Sequence, residues 1–269
     1  MPPSTDTLKP QTLLDHLDRG SRWPAPCGLT LEAAYETALA VRQLRIARGE
    51  QPRGYKVGFT NRTIWPRYNV FAPIWGSVWD STLTLCEGEG RLSLAHTCQP
   101  RIEPEIVFGL KGTPATGATL DDLFEAIDWV APGFEVVQSH LPDWKFQAAD
   151  TVAGSGLHAR LLVGRRTPVR ELAADANALD TLLAGARVSL LQDNQLAEDG
   201  QGSNVLDGPL RALLHFTQTL RACPGAPDLQ AGDVVTTGTW TDAWPVAPGE
   251  HWSARFTSPL SGLSVRFTA

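Results

Sequence analysis

Short runs of β-forming residues, separated by Gly and Pro at irregular intervals, restrict the fold of this chain more than any other sequence feature does. Their uneven spacing favours long functional loops over a plain sandwich. The chain shows no internal repeat of fixed period. We expect strands over residues 55–59, 83–86, 102–110, 134–138, 161–163, 188–192, 233–237, 251–257 and 263–268.

Two helices are expected before the first strand. The first ends at Gly20, and the second spans residues 31–48 behind Thr30 as its N-cap. This order predicts an α+β protein. A small, mainly helical N-terminal region would cover residues 1–80, and a β-rich domain would cover residues 81–269.

Two further helices are expected among the strands. Thr119 and Asp122 form a capping box, and apolar residues continue at helical spacing as far as Ile127. The last helix is expected to begin at Asp207 as its cap, with Pro209 in its first turn.

The charge and the apolar pattern exclude several classes of function. Lys and Arg number 23 against 29 Asp and Glu, so the net charge of −6 argues against broad nucleic-acid binding. The chain has no run of about 18 apolar residues, so no membrane span is expected. Residues 1–6 lack the pattern of a secretory signal, and the four Cys form no CxxC pair. We therefore expect a cytoplasmic protein with reduced thiols.

Three glutamates are the candidate metal ligands. Glu103 and Glu105 are two residues apart in an expected strand, so their side chains share one face, and Glu135 lies in an apolar strand. Neighbouring like charges repel unless a cation lies between them. Either a divalent cation such as Mg²⁺ or Mn²⁺, or Arg101 on the same face, would meet this need.

Lys56 and Asp80 are the candidate acid–base residues. Lys56 lies in an apolar strand between glycines, either as a snorkelling surface residue or as a group with a lowered pKa. Asp80 would either orient this lysine or cap a turn. The six His show no metal-ligand spacing, and each is expected to be structural or exposed.

Several motifs, in this order, resemble the 2-keto-4-pentenoate hydratase and 4-oxalocrotonate decarboxylase family of the fumarylacetoacetase-like superfamily. The resemblance covers about residue 30 to the C-terminus. Its motifs are Tyr55-Lys56-Val57-Gly58, Pro73-Ile74-Trp75-Gly76 with Asp80, Arg101-Ile102-Glu103-Pro104-Glu105-Ile106, Ala126-Ile127-Asp128, Glu135-Val136-Val137, Asp143-Trp144-Lys145, Asp150-Thr151-Val152-Ala153, Ala231-Gly232-Asp233-Val234-Val235 and Gly238-Thr239.

This resemblance implies that Glu103, Glu105 and Glu135 hold Mg²⁺ or Mn²⁺, and that Lys56 and Asp80 bind substrate and transfer protons. It also implies a mixed β-roll domain and a homo-oligomer. The implied substrate is a small 2-oxo or 2-hydroxydienoic acid. Hydration ranks first as the reaction, decarboxylation of a 2-oxo dioic acid second and acylpyruvate C–C hydrolysis third. A non-catalytic binding relative is the alternative of a different class.

Two segments depart from the family pattern. Where the family usually has Asp-Asn and two small residues, this chain has residues 154–158, Gly-Ser-Gly-Leu-His. The usual Gly-His-Pro before the late helix is replaced by residues 207–209, Asp-Gly-Pro. We expect His158 and several Trp to lie near the substrate and to favour a substituent longer than the vinyl group of the five-carbon dienoate. These Trp are Trp65, Trp75, Trp79, Trp144, Trp240 and Trp244. The alternative is that they fill the core.

Overall fold

The computed structural model describes residues 9–269. The stretch at residues 1–6, on which the expectation about a secretory signal was based, lies outside the described residues. No helix in the described part of the chain is long and apolar enough to cross a bilayer.

Eight α-helices are present among the described residues. Their bounds are α1 Pro10–Arg19, α2 Leu31–Ala47, α3 Trp65–Tyr68, α4 Leu120–Ala126, α5 Ala148–Ala153, α6 Val169–Leu172, α7 Ala176–Gly185 and α8 Pro209–Ala222. The predicted start of α2 is confirmed, because the Thr30 hydroxyl accepts a hydrogen bond from the Ala33 N–H. The predicted capping box of α4 is also present, between Thr119 and Asp122.

Asp207 was expected to cap α8, and this prediction is wrong. Gly208, at φ 155°, is the N-cap, and it makes no side-chain cap. The Asp207 carboxylate instead accepts a hydrogen bond from Arg62 at 2.7 Å on the surface. An exposed carboxylate facing a guanidinium satisfies its charge without the helix terminus.

Fourteen strands carry the remaining regular structure of the described chain. Their bounds are β1 Pro52–Gly58, β2 Ile74–Trp79, β3 Leu83–Leu85, β4 Glu89–Ser93, β5 Arg101–Leu110, β6 Ile127–Val137, β7 His158–Val163, β8 Thr167–Pro168, β9 Arg187–Gln192, β10 Gln195–Gln201, β11 Val234–Thr236, β12 Trp244–Pro245, β13 His251–Phe256 and β14 Leu263–Thr268. Strand β6 begins seven residues earlier than predicted, so Ile127 opens a strand and does not close α4.

A mixed nine-stranded sheet organises the fold. Seven strands follow the order β2-β1-β11-β5-β6-β7-β3, with β12 paired to β5 and β8 to β6. The long antiparallel pair β5–β6 forms its centre, and β1 runs parallel to β11 beside it. Five strands form the second sheet, in the order β10-β9-β13-β14-β4. The α+β class with a curled sheet is therefore confirmed.

The predicted division at residue 80 stays a prediction. Strands β1 and β2 precede this position, and they pair within the same sheet as β5 and β6. Helices α1 and α2 pack against each other, and α2 also packs on α5.

Candidate metal centre

The register of β5 on β6 brings three carboxyl groups together. Glu103 is directly opposite Glu135 across the ladder, and Glu105 follows on the same face of β5. One carboxylate oxygen from each residue lies within 4.8 Å of the other two. Like charges directly opposite in a ladder are destabilising, so this arrangement calls for a cation among them.

Two fully buried oxygens of this carboxyl cluster have no hydrogen-bond partner among the described residues. Glu105 Oε2 accepts bonds from the backbone N–H groups of Thr237, at 3.0 Å, and Gly238, at 2.7 Å. Glu105 Oε1 and Glu135 Oε2 remain without a hydrogen bond, although both residues are fully buried. Buried oxygens of this kind are costly unless a cation takes them as ligands. The residues present therefore fit a divalent metal.

Burial also raises the pKa of each of the three carboxyl groups. The pKa of Glu135 rises to about 8, and repulsion from Glu103 adds to the effect of burial. Burial raises the pKa of Glu105 well above its usual range, with further contributions from Glu135 and Glu103. Burial likewise raises the pKa of Glu103, against the attraction of Lys56 and Arg101. A bound divalent cation would reverse this balance, since it favours the ionised form of its ligands.

Lys56 lies beside this cluster, on β1. Its Nζ is 3.2 Å from Glu135 Oε2, a close charge contact without the alignment of a hydrogen bond. The side chain is buried, so the snorkelling alternative is wrong. The expectation of a lowered pKa is also wrong. Burial lowers the pKa of Lys56, but the three glutamates outweigh burial and raise it.

Arg101 does not take the place of the cation. Its guanidinium lies over the ring of Trp144, 4.3 Å from the ring centroid, and donates to the Ala243 carbonyl. Among the described residues it forms no ion pair with the glutamates.

The structure does not bring Asp80 to Lys56. Lys56 pairs with Gly76 in the β1–β2 ladder, whereas Asp80 follows the opposite end, where Trp79 pairs with Pro52. The exposed Asp80 carboxylate accepts bonds from the N–H groups of Gln51 and Ser81. The turn-capping alternative therefore describes the position of Asp80, and the alternative in which Asp80 orients Lys56 is wrong.

His158 is the member of this centre that the sequence reasoning missed. Its Nδ1 is 2.9 Å from Glu135 Oε1, and its Nε2 is 2.8 Å from Thr82 Oγ1. Burial lowers its pKa well below the usual range, and the positive charge of Lys56 lowers it further, so the imidazole is neutral. The departure at residues 154–158 was the available signal, but it was assigned to the substrate wall.

A cavity of about 200 Å³ opens from the carboxyl cluster. Lys56 and Glu103 contribute charged groups to its lining. Four aromatic residues of the lining form an aromatic wall, because their rings pack in a continuous row: Phe59, Tyr68, Phe146 and Trp144. The exposed Arg67 also lies on the lining, with its guanidinium over the ring of Tyr68.

The expectation that many Trp surround the substrate is wrong for most of them. Of the six, Trp144 lies on the cavity lining. Trp75, Trp79 and Trp240 are buried in the core, because their large apolar surfaces pack between the sheets and helices. Leu157 also lies on the lining, whereas His158 is enclosed behind it.

The chain is similar in sequence to known enzymes. The family model of the fumarylacetoacetate (FAA) hydrolase C-terminal region matches residues 77–263. The 2-hydroxyhexa-2,4-dienoate hydratase of Comamonas testosteroni is 34% identical over 244 residues, which cover 89% of this chain and 87% of that protein. A 4-oxalocrotonate decarboxylase of a Pseudomonas species is 30% identical over 221 residues, 82% of this chain and 81% of the relative.

A solved structure shows the same architecture. The 4-oxalocrotonate decarboxylase of Pseudomonas putida G7, complexed with magnesium and adipate, matches with a TM-score of 0.84 at 26% identity. The match covers 96% of this chain and 95% of that one.

Proposed function

The chain belongs to the fumarylacetoacetate hydrolase family, and we propose that it is a metal-dependent hydro-lyase. It adds water to a 2-hydroxydienoate or 2-oxo-enoate and yields a 4-hydroxy-2-oxo acid. The observation that carries this proposal is the cluster of Glu103, Glu105 and Glu135 beside Lys56, next to a cavity of about 200 Å³ that Glu103 and Lys56 line. The likeness to a dienoate hydratase supports the choice of substrate class.

Glu103, Glu105 and Glu135 hold Mg²⁺ or Mn²⁺ in this proposal. The unpartnered oxygens of Glu105 and Glu135 support the assignment. Such a cation supplies Lewis-acid stabilisation of the negative charge that develops on the 2-oxygen of a 2-oxo acid. The backbone N–H groups of Thr237 and Gly238 hold Glu105 in place for this purpose.

Lys56 transfers protons in this proposal. Its ammonium group lies at the boundary between the carboxyl cluster and the cavity, where the reacting carbons of a bound dienoate would lie. Donation of a proton to the terminal carbon, with loss of the proton from the 2-hydroxyl group, turns the dienol into a 2-oxo-3-enoate, whose C4 is electrophilic. Water then adds at C4, and a proton is delivered to C3.

Decarboxylation of a 2-oxo dioic acid is the second candidate. The observation that favours it is Arg67, a cation on the cavity lining that would meet a second carboxylate. The solved decarboxylase that matches this fold holds adipate, a dicarboxylate.

One experiment separates these reactions. Purified protein with Mg²⁺ is given a panel of 2-hydroxydienoic and 2-oxo dioic acids, while ultraviolet absorbance follows loss of the dienol and a separate assay detects CO₂. Dienol loss without CO₂ supports the hydro-lyase. CO₂ release from the dioic acid supports the decarboxylase. The absence of both signals from metal-loaded protein would favour a non-catalytic binding relative.

We also propose that the protein works in the cytoplasm, which its cysteine pattern favours, and that it is a homo-oligomer, which the resemblance implies. Light scattering on the eluate of a size-exclusion column measures the number of subunits directly.

A further inference from the structure

The two oxygens of the Glu135 carboxylate have different partners, and one of them, Oε1, is in a hydrogen bond. Oε1 faces His158 Nδ1 at 2.9 Å, and Oε2 faces Lys56 Nζ at 3.2 Å. His158 is held in turn by the Thr82 hydroxyl at 2.8 Å. All four side chains are buried, so solvent does not compete for these contacts.

The direction of the hydrogen bonds follows from the Thr82 hydroxyl. It accepts from the Trp79 N–H at 3.1 Å, and its one hydrogen can go to His158 Nε2 or to the Trp79 carbonyl at 3.2 Å. The contact with Nε2 is the shorter one. When Nε2 accepts this hydrogen, a neutral imidazole carries its own proton on Nδ1 and donates it to Glu135 Oε1.

A donated hydrogen bond on Oε1 limits what Glu135 can offer to a metal. With Oε1 engaged, Oε2 is the oxygen left for a cation, and the carboxylate is disfavoured as a bidentate ligand. Mg²⁺ and Mn²⁺ suit single oxygens in an octahedron, whereas Ca²⁺ readily accepts bidentate carboxylates.

We propose that His158, fixed by Thr82, is a positioning residue that presents Glu135 as a one-oxygen ligand and so favours a small divalent cation over Ca²⁺. This inference rests on the proposed metal centre. It assigns His158 a role behind the carboxylate, away from the substrate. Partners that orient a metal ligand in this way typically change metal affinity by roughly 10–100-fold when they are replaced.

Two substitutions of His158 separate positioning from simple packing. His158→Asn keeps an amide N–H at about the position of Nδ1, whereas His158→Gln places its amide nearer to Nε2 and loses the bond to Glu135. Thr82→Val removes the hydroxyl and keeps the shape. His140→Gln is the matched control, because His140 is also buried and its Nδ1 contacts the Ser21 carbonyl, away from the glutamates.

Calorimetric titration of each purified protein with Mg²⁺ and with Ca²⁺ is the test. We expect His158→Gln to weaken Mg²⁺ binding by roughly 10–100-fold and to reduce the preference for Mg²⁺ over Ca²⁺. His158→Asn should stay within a few-fold of the parent, Thr82→Val should lie between the two, and His140→Gln should match the parent. Nitrogen-15 NMR of the unsubstituted protein should show the proton on Nδ1 of His158.

The outcomes distinguish this inference from the proposed function. If the parent binds Mg²⁺ but His158→Gln keeps its affinity and its preference, or if NMR places the proton on Nε2, the inference is overturned and the metal centre stands. If the parent binds no divalent cation, the metal centre is overturned and the inference falls with it. Should His158→Gln fail to fold, Thr82→Val and the NMR measurement still decide.

Discussion

Glu103 and Glu135 face each other as direct partners across the antiparallel β5–β6 ladder. A sheet normally places unlike or apolar side chains at such positions. Here the second of them is fully buried, and the nearest cation is Lys56. The pairing therefore has the character of a functional site that is maintained at a cost to stability.

Removal of the metal should abolish turnover. A chelator takes away the cation that stabilises charge on the 2-oxygen, while the carboxyl cluster can neutralise itself by taking up protons. Dialysis against chelator, followed by addition of Mg²⁺ or Mn²⁺, should first eliminate and then restore loss of the dienol. Full activity of the metal-free protein would refute the metal centre.

Glu105→Gln should weaken Mg²⁺ binding by more than about tenfold, beyond the lower limit seen when only supporting residues are changed. The amide oxygen can still accept from Thr237 and Gly238, but an NH₂ group replaces the unpartnered Oε1. The fold should survive, because a buried acid becomes a neutral amide. Calorimetry gives the affinity and thermal unfolding checks the fold. An affinity equal to that of the parent would show that Glu105 is not a ligand.

Lys56→Met should lower turnover by roughly 10²–10⁴, the usual effect of a lost acid–base group. Metal affinity should not fall, because the substitution removes a cation that competes for Glu135 Oε2. Lys145→Met is the matched control. Lys145 is exposed, and its charge partner is the carboxylate of Asp143, with 3.9 Å between Nζ and Oδ2. Steady-state kinetics of both variants measure the effect. Equal turnover in the parent and in Lys56→Met would exclude proton transfer by this lysine.

The aromatic wall should favour substrates longer than the five-carbon dienoate. Phe59, Tyr68, Trp144 and Phe146 give a longer apolar substituent more surface to bury than a vinyl group does. Values of kcat/KM for the five-carbon compound and for longer or aryl-substituted analogues measure this preference. Phe146→Ala should reduce the difference in kcat/KM between the longer analogues and the five-carbon compound. A preference of the parent for the five-carbon compound would contradict the prediction.

Protonation of Glu50 should lower the free energy of unfolding in acid. Burial raises the pKa of this carboxyl, but hydrogen bonds from Arg45, Ser81 and Arg48 outweigh burial and lower the pKa to about 2. The unfolded value is about 4.3. A group whose pKa is lower when folded stabilises the protein above its unfolded pKa, and this stability is lost as the pH falls from about 4.3 towards 2. Urea unfolding at pH 6 and pH 3 should show that the free energy of unfolding falls more for the parent than for Glu50→Gln. An equal fall in the two proteins would contradict the role of Glu50 in acid stability.

The sequence predicts the features of this centre that lie along a strand. The alternation of Glu103 and Glu105 in an apolar run places both on one face, and β5 confirms it. The capping box of α4 is equally local. Strand β2 was missed because all of its residues are buried, so it shows no alternation of apolar and polar residues.

Contacts between strands could not be predicted in this way. His158 reaches Glu135 because the β6–β7 register shifts between Val136 and Val137, a bulge without a local signature. Asp80 shows the reverse case. The resemblance groups it with Lys56, yet in the β1–β2 register it follows the far end of the ladder.

The position of β1 between β2 and β11 bears on how relatives of this chain can be recombined. Lys56 comes from the first quarter of the chain, but its strand is inserted between segments that lie far apart in the sequence. A chimaera joined near residue 80 would therefore combine a proton donor from one parent with carboxylates from another, across the hydrogen-bonded β1–β11 seam. The N-terminal segment is then not an exchangeable module. Breakpoints that keep β1, β5, β6 and β11 from a single parent would preserve the centre.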